Sequence, residues 1–479
     1  MVRTSVVLKN LGKIISIIGL AIFSAAVISL CFGEAIFERM MLASLITMGT
    51  GTVIILIFKN DLTINYREGF AVVTLGWLAA SLFGTLPYLL SGYVPSFADA
   101  LFETVSGFTT TGASIFADVE GLPRSLLYWR SLTQWLGGMG IMALFIAIIA
   151  NIGARANQIF RAEVPGPVSD KISPRIRETA KILWITYLIM SAVLVVLLYV
   201  FGMDWFNSVC HTFTTMSTGG FSTRNSSLAN FNPLIQWTII IFMFLAGANF
   251  ALHYLAFRKR SLKGYLLNSE FRLYSLLVII ASAIVFTGIG QYPGIEERIR
   301  QSAFQVVSII TTTGFVTADY NIWSPVSQVI ILALMLVGGC AGSTAGNIKV
   351  SRYIILIEQA KAEIKQMVHP KSIWPVRYGN KPLNEALVIN VLQFFFLYLM
   401  IVVTGVVVLS VFGLDLISSI SASLSCMGNI GPGFNLVGPV QNYGHLPDIS
   451  KYVLSGLMFI GRLEIYPVLV LFSPLFWKE

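Results

Sequence analysis

Four short polar segments interrupt an otherwise apolar chain, and their residue types suit the handling of a bare cation. The first runs Thr109, Thr110, Thr111, Gly112, Ala113, Ser114. The second ends Ser217, Thr218, Gly219, Gly220, Phe221, Ser222, and the third runs Thr311, Thr312, Thr313, Gly314, Phe315. The fourth departs from the threonine pattern, with Gly428, Asn429, Ile430, Gly431, Pro432. Threonine hydroxyls and backbone carbonyls are oxygen donors of the kind that can replace water around a cation. A glycine lets the backbone adopt dihedrals closed to other residues, so that such carbonyls can turn inward. Aligned on Gly112, Gly219, Gly314 and Gly431, the segments recur at intervals of 107, 95 and 117 residues. A single segment is equally open to a packing reading, because small residues let membrane helices approach closely. Four in register favour a ring of oxygens.

Each segment follows a half-apolar stretch too short to cross a bilayer, near 96–109, 204–216, 297–311 and 415–427. Irregular backbone at membrane depth is tolerated only when buried in protein or lining a watery cavity. An acid stands near the start of each stretch: Asp99, Asp204, Glu296 or Glu297, and Asp415. Ser96 to Asp99 resembles a capping box. Helices that start at these acids direct their partly negative carboxyl ends toward the polar segments, which favours a cation there.

The rest of the chain must position these parts. Of its 479 residues, 56% are hydrophobic and 11% charged, far below the charge content of soluble domains, about 25%. The spacing predicts long apolar helices at about 12–33, 39–58, 68–91, 126–152, 179–202, 233–257, 271–290, 325–366, 384–413 and 449–474, of membrane-spanning length. The eighth is interrupted. The expected fold is an all-α polytopic membrane protein: two leading helices, then four membrane–pore–membrane repeats around one central pore. The boundaries are 1–66 for the leading pair, then 67–157, 158–264, 265–378 and 379–479. The first apolar run is long for a signal peptide and lacks a clear small-residue cleavage site, so a retained helix is expected. With both termini placed inside, inner segments hold 24 Lys and Arg and outer segments 7. This asymmetry favours that orientation, and the net charge of +9 reflects inner loops rather than nucleic-acid binding.

With these motifs in order, the chain resembles the Trk/Ktr/HKT potassium transporters, and the resemblance covers its whole length. It implies potassium uptake across a bacterial inner membrane. The implied filter comprises Thr110, Thr111, Gly112, Thr218, Gly219, Gly220, Thr312, Thr313, Gly314, Asn429, Ile430 and Gly431. In some plant relatives a serine at the first glycine accompanies sodium preference, so Gly112 argues for potassium. The extra leading pair resembles the Trk branch.

Two further stretches carry the resemblance. Residues 338–350, "GGCAGSTAGNIKV", lie inside the interrupted span, and glycines there each cost a helix about 1 kcal/mol against alanine. In the family this loop gates the pore, which assigns Gly338, Gly339, Ala341, Gly342, Ser343, Thr344, Ala345 and Gly346 to a gate. Asn347 stands where glycine is common. The second stretch is "GRLEIYP", with Arg462 in the last span. An ionisable residue in a span faces a cavity or a partner, and the family makes Arg462 a contact of the gate. Glu464 is two positions away and cannot face Arg462 on one helix.

The resemblance also implies a homodimer and a cytoplasmic nucleotide-binding regulatory subunit of the Trk type. The potassium ion is cargo, and no organic cofactor is expected: no dinucleotide or phosphate-binding motif stands in a soluble segment. Cys31, Cys210, Cys340 and Cys426 form no paired motif. His211 reads as a satisfied pore-helix residue. No nucleophile–base arrangement or metal-spaced histidine cluster points to an enzyme. The rival reading is a secondary transporter of another cation or an organic solute, which would be built from two halves rather than four quarters.

Overall fold

The structure is a computed structural model that describes residues 2–58, 64–140, 176–372, 374–379 and 381–477. The described residues are mostly helical, with one two-stranded hairpin. Helices α1 (Thr4–Cys31) and α2 (Phe37–Ile57) form a leading hairpin. The two approach so closely that a Cβ on Gly51 would stand 2.6 Å from the Gly12 carbonyl oxygen. The hairpin is fastened at both ends. Glu68 accepts from Arg3 Nε at 2.6 Å and from Nη2 at 2.8 Å. The Glu34 carboxylate accepts from the Arg124 N–H at 2.6 Å and the Ser125 hydroxyl at 2.5 Å.

Four helical units follow. In the first, α3 (Tyr66–Gly84) continues into α4 (Leu86–Ser91), then α5 (Phe97–Phe108) and α6 (Arg124–Trp135). The second holds α7 (Ile176–Val200), α8 (Trp205–Met216), α9 (Pro233–Ala246) and α10 (Phe250–Lys259). The third holds α11 (Lys263–Leu267), α12 (Ser269–Thr287), α13 (Ile295–Ile310), α14 (Pro325–Leu334) and α15 (Val350–Val368). A two-stranded hairpin (Arg377–Tyr378, Lys381–Pro382) leads to the fourth. That unit holds α16 (Glu385–Val411), α17 (Leu416–Gly428), α18 (Asp448–Arg462) and α19 (Tyr466–Leu469). The short helices α5, α8, α13 and α17 each start at an exposed residue (Phe97, Trp205, Ile295, Leu416) and end buried; the side they start from is called upper below.

Among the described residues, six helices are long and apolar enough to cross a membrane, or eight if two bent pairs each count as one span. The expected helix at 126–152 is described only to residue 140, and its remainder lies outside the described residues. Two helices expected to run unbroken do not. The stretch 233–257 bends by 100° between α9 and α10, and 449–474 bends by 112° after Arg462. At the first bend Gly247 has no room for a Cβ beside the Tyr274 hydroxyl, 2.7 Å away. The Asn249 side chain then starts a new helix by accepting from the Ala251 N–H at 2.8 Å. At the second bend Ile465 takes φ 68° and ψ −65°, a strained γ-turn closed by Tyr466 N–H to the Glu464 carbonyl at 2.7 Å. Pro467 lacks an N–H to donate, which suits the first turn of α19. The first unit bends likewise at Gly138, whose ψ of −105° is not helical. The third is open from Met335 to Lys349. The closing helix of every unit is therefore interrupted beneath the short helices, where sequence patterning indicated one interruption.

Candidate functional site

The short helices end alike. At each carboxyl end a non-glycine residue adopts positive φ: Thr110 (56°), Thr218 (54°), Thr312 (57°) and Asn429 (55°). The next N–H reaches back to close the turn: Thr111 to the Ser106 carbonyl (2.9 Å), Gly219 to Thr214 (2.8 Å), Thr313 to Ser308 (2.8 Å), Ile430 to Ser425 (2.9 Å). This is the hydrogen bonding of a Schellman cap, usually built on glycine. A threonine in that region is uncommon, and its recurrence marks the four segments as one design.

These caps set the register of the repeat. Two residues past each cap comes a glycine with positive φ: Gly112 (80°), Gly220 (78°), Gly314 (78°) and Gly431 (103°). In the second unit the matching residue is thus Gly220, and Gly219 occupies the place of Thr111, Thr313 and Ile430. The alignment on Gly219 is one residue out. Two adjacent glycines hid the register, because composition alone does not say which of them takes the left-handed conformation.

The four glycines close a ring. A Cβ on Gly112 would stand 2.1 Å from the Gly219 carbonyl oxygen, and one on Gly220 would stand 1.9 Å from that of Thr313. On Gly314 it would stand 1.9 Å from the Ile430 oxygen, and on Gly431 it would stand 2.7 Å from the Thr111 oxygen. Each unit thus presses on the next, and the fourth returns to the first. The threonines below are buried, as are Asn429 and Ile430. The Gln134 side chain clamps the second segment, donating to the Gly219 carbonyl at 2.6 Å and accepting from the Phe221 N–H at 3.0 Å.

Above the ring lies an open cavity of about 120 Å³ lined by Gly112, Gly220, Gly314 and Gly431 together with loops from all four units. Hydrogen bonds between the units circle it. Val119 N–H donates to Asn225 (2.7 Å), Leu228 N–H to the Val316 carbonyl (3.0 Å), the Tyr320 hydroxyl to the Gly433 carbonyl (2.7 Å), and Tyr443 N–H to the Ser114 carbonyl (2.8 Å). On the rim, the Asn225 amide and the Gly121 N–H hold the Asp118 carboxyl below its usual range. His211 is bonded on both sides: Nδ1 to the Asn207 carbonyl at 2.9 Å, Nε2 to the Ser222 hydroxyl at 3.0 Å.

Beneath the ring, residues 335–349 lie against the lower ends of the short helices. Gly346 N–H donates to Thr312 Oγ1 at 2.7 Å, and Thr344 Oγ1 donates to the Met216 carbonyl at 3.1 Å. A Cβ on Gly346 would meet the Gly428 carbonyl at 2.6 Å. The loop's other end is fixed by Cys340 N–H to Gly247 (2.8 Å), Gly342 accepting from Phe250 N–H (3.1 Å), and Ala341 N–H to Glu270 (2.7 Å). Gly338 and Gly339 face Ile348 and Val350 across the loop's neck. The Ser343 hydroxyl folds back to the Cys340 carbonyl, and the Ala345 carbonyl accepts from Lys349. Arg462 spans the gap, with Nη1 on the Thr344 carbonyl at 3.0 Å and Nη2 on the Gly137 carbonyl at 2.8 Å. Glu464 turns away to Arg352 at 2.5 Å.

Sequence reasoning missed Glu103, Arg130, Gln134 and Glu34. Gln134 and Glu34 act across 85 and 90 or more residues, and nothing in their local pattern marks them. A charged pair in so apolar a chain was the available signal for Glu103 and Arg130. Among the described residues no group of three His, Cys, Asp or Glu side chains is placed to hold a metal.

Comparison with known proteins agrees with this architecture. The sequence model of the TrkH family, described as cation transport protein, matches residues 34–478. The chain is 38% identical over 429 residues to the Trk system potassium uptake protein TrkH of Escherichia coli K12, with 88% of each chain covered. It is 34% identical to the protein of the same name from Halomonas elongata, with 99% of each covered. The crystal structure of the potassium transporter TrkH from Vibrio parahaemolyticus superposes with a TM-score of 0.90 at 30% identity, covering 99% of this chain and 100% of that one. The chain belongs to the TrkH family of cation transport proteins.

Proposed function

We propose that this chain takes up potassium through the ring formed by Gly112, Gly220, Gly314 and Gly431 with the carbonyls of the residues before them. The observation that carries the reading is the closed contact of each of these glycines with a carbonyl of the next unit. Such a ring offers oxygens to a dehydrated cation in place of water. Thr110, Thr218, Thr312 and Asn429 set the lower edge of the filter. The loop from Gly338 to Lys349 is the gate beneath it, held through Thr344 by Arg462. The names of the similar uptake proteins support potassium as the cargo. The same likeness supports a Trk-type assembly in a bacterial inner membrane: a homodimer, both termini cytoplasmic, driven by a nucleotide-binding regulatory subunit.

The test is growth at low potassium of a bacterium stripped of its own uptake systems, expressing this chain with a Trk-type regulatory subunit. Rescue that weakens with Gly112→Ser, while sodium influx rises, supports the reading. Good expression in the membrane without rescue overturns it.

A further inference from the structure

Glu103 and Arg130 form an ion pair in the wall of the ring, with Arg130 Nε 2.8 Å from Glu103 Oε1 and the two side chains 2% and 0% exposed. Burying two charges is costly, and replacing such a pair by apolar residues of similar volume is often neutral or stabilising. Stability alone therefore gives little reason for it. Its contacts give another. Glu103 lies on α5 and accepts from the Ile115 N–H at 2.9 Å and the Ser114 hydroxyl at 3.2 Å. Arg130 lies on α6, donates from Nη2 to Ser114 Oγ at 3.0 Å and from Nη1 to the Ser222 carbonyl at 3.0 Å. Its guanidinium sits 4.2 Å from the centre of the Phe221 ring. Ser114 and Ser222 each stand two residues past a ring glycine, Gly112 and Gly220. One planar fork thus fixes the exit of the first segment and joins it to the second.

The other units solve the same problem without charge. Counting from the caps, Glu103 corresponds to His211, Gln305 and Ala422. His211 reaches Ser222 at 3.0 Å and Gln305 reaches the Thr317 hydroxyl at 3.3 Å. In the fourth unit the neighbouring Ser421 accepts from the Phe434 N–H at 2.9 Å. A helix-to-segment strut recurs in each unit, but among the described residues its Glu–Arg form is found in the first, where Arg130 also reaches the second. Charge-assisted hydrogen bonds are shorter and stronger than neutral ones, and a guanidinium holds several acceptors in one plane, here Glu103, Ser114 and Ser222, where an ammonium cannot.

We propose that Glu103 and Arg130 are positioning residues that set the spacing of the first two filter segments, and thereby the discrimination of potassium from sodium. The proposal rests on the uptake reading above. The pair touches no cargo. It acts by holding Ser114 and Ser222, so that the oxygens around Gly112 and Gly220 keep the spacing a potassium ion requires.

The test is uptake of rubidium and of sodium tracer into liposomes holding the purified full chain, with and without its regulatory subunit. Glu103→Gln keeps shape and removes one charge, Arg130→Lys keeps charge and removes the fork, and Glu103→Gln with Arg130→Gln removes both charges. In each, the rubidium-to-sodium flux ratio is expected to fall at least tenfold, with Arg130→Lys no better than the neutral double variant. A merely structural pair would change the amount of active protein and leave the ratio alone. A wild-type ratio in any variant that reconstitutes overturns the proposal. Should no charge variant assemble, Ser114→Ala leaves the pair intact and removes the two bonds that tie the serine to it, while the Ile115 N–H and Ser222 carbonyl contacts stay. A lowered ratio there supports the proposal, and an unchanged ratio overturns it. A wild-type protein that fails to discriminate would instead count against the uptake reading itself.

Discussion

Arg462 and Thr344 meet across 118 positions of chain, the guanidinium Nη1 donating to the threonine carbonyl at 3.0 Å. The other arm of the same group reaches the Gly137 carbonyl at 2.8 Å and that of Gly138 at 3.3 Å. One side chain therefore bonds the loop under the ring to the break in the first unit's closing helix. Hydrogen bonds from a charged donor are each worth about 1.5–3 kcal/mol. Arg462→Ala is expected to free the loop and to raise rubidium flux into liposomes holding this chain alone by tenfold or more. Arg462→Lys, a point charge without the fork, is expected to fall between. Unchanged basal flux in both variants would remove Arg462 from the gate.

Asn347 fastens the same loop from its other side. It holds φ 61°, where glycine would be free of strain. Its side chain donates to the Met335 carbonyl at 2.7 Å and accepts from the Ile348 N–H at 2.8 Å and the Tyr398 hydroxyl at 2.9 Å. Asn347→Gly keeps the backbone conformation and deletes these bonds, each contributing about 0.5–1.5 kcal/mol net. The expected result is a leakier protein, with higher rubidium flux into liposomes holding the chain alone. Tyr398→Phe, which deletes a single bond, should move flux in the same direction by less. A variant with lower basal flux than the parent would show that Asn347 strains the loop rather than fastening it.

Much of this architecture is legible because membrane spans and short polar segments are local signals. The stretches 204–216 and 415–427 were expected, and helices Trp205–Met216 and Leu416–Gly428 are found. Asp204 and Asp415 accept from the N–H groups three residues on, at 3.1 Å each, as their positions suggested. Ser96 does likewise at 3.4 Å, but Asp99 does not complete the capping box and pairs with Lys451 at 2.5 Å. That exchange is tertiary and leaves no trace in the local pattern. The same holds for the bends near Gly247 and Ile465: the apolar pattern runs on through both, and packing against other units decides them.

Glu34 shows what such long-range caps contribute. Its carboxylate takes the Arg124 and Ser125 N–H groups at the start of α6, at 2.6 and 3.3 Å, and the Ser125 hydroxyl at 2.5 Å. No residue at the local cap position does this, since Pro123 precedes the helix without a side-chain cap. Losing a capping acceptor costs about 0.5–2 kcal/mol, and the negative charge also suits the helix amino end. Glu34→Ala is expected to lower the thermal unfolding midpoint of the detergent-solubilised protein. Cation discrimination in liposomes should be unchanged, because the Glu34 bonds go to neither the ring nor the Glu103–Arg130 pair. A change in discrimination without a change in midpoint would contradict this assignment.

The register of the second segment can be tested by its two adjacent glycines. Gly220 holds φ 78°, and its Cβ would stand 1.9 Å from the Thr313 carbonyl oxygen. Left-handed backbone costs an L side chain roughly 1–2 kcal/mol, and the clash falls on backbone that cannot step aside without opening the ring. Gly220→Ala should weaken potassium uptake, as a side chain at Gly112 should, and no change at Gln134 should restore it. Gly219 is different. Its φ is not positive, and its Cβ would meet the end of the Gln134 side chain, 2.4 Å from Cδ. Gly219→Ala should therefore impair uptake by displacing Gln134, and Gln134→Ala should make room for the new methyl. The double variant is expected to be better than the sum of the single losses, with a coupling of about 1 kcal/mol, within the range for residues in contact. The measurement is potassium-limited growth and rubidium flux for the two single glycine variants and for each combined with Gln134→Ala. If Gly220→Ala transports like the parent while Gly219→Ala fails with either residue at 134, the ring glycine is Gly219, and the geometric register fails with it.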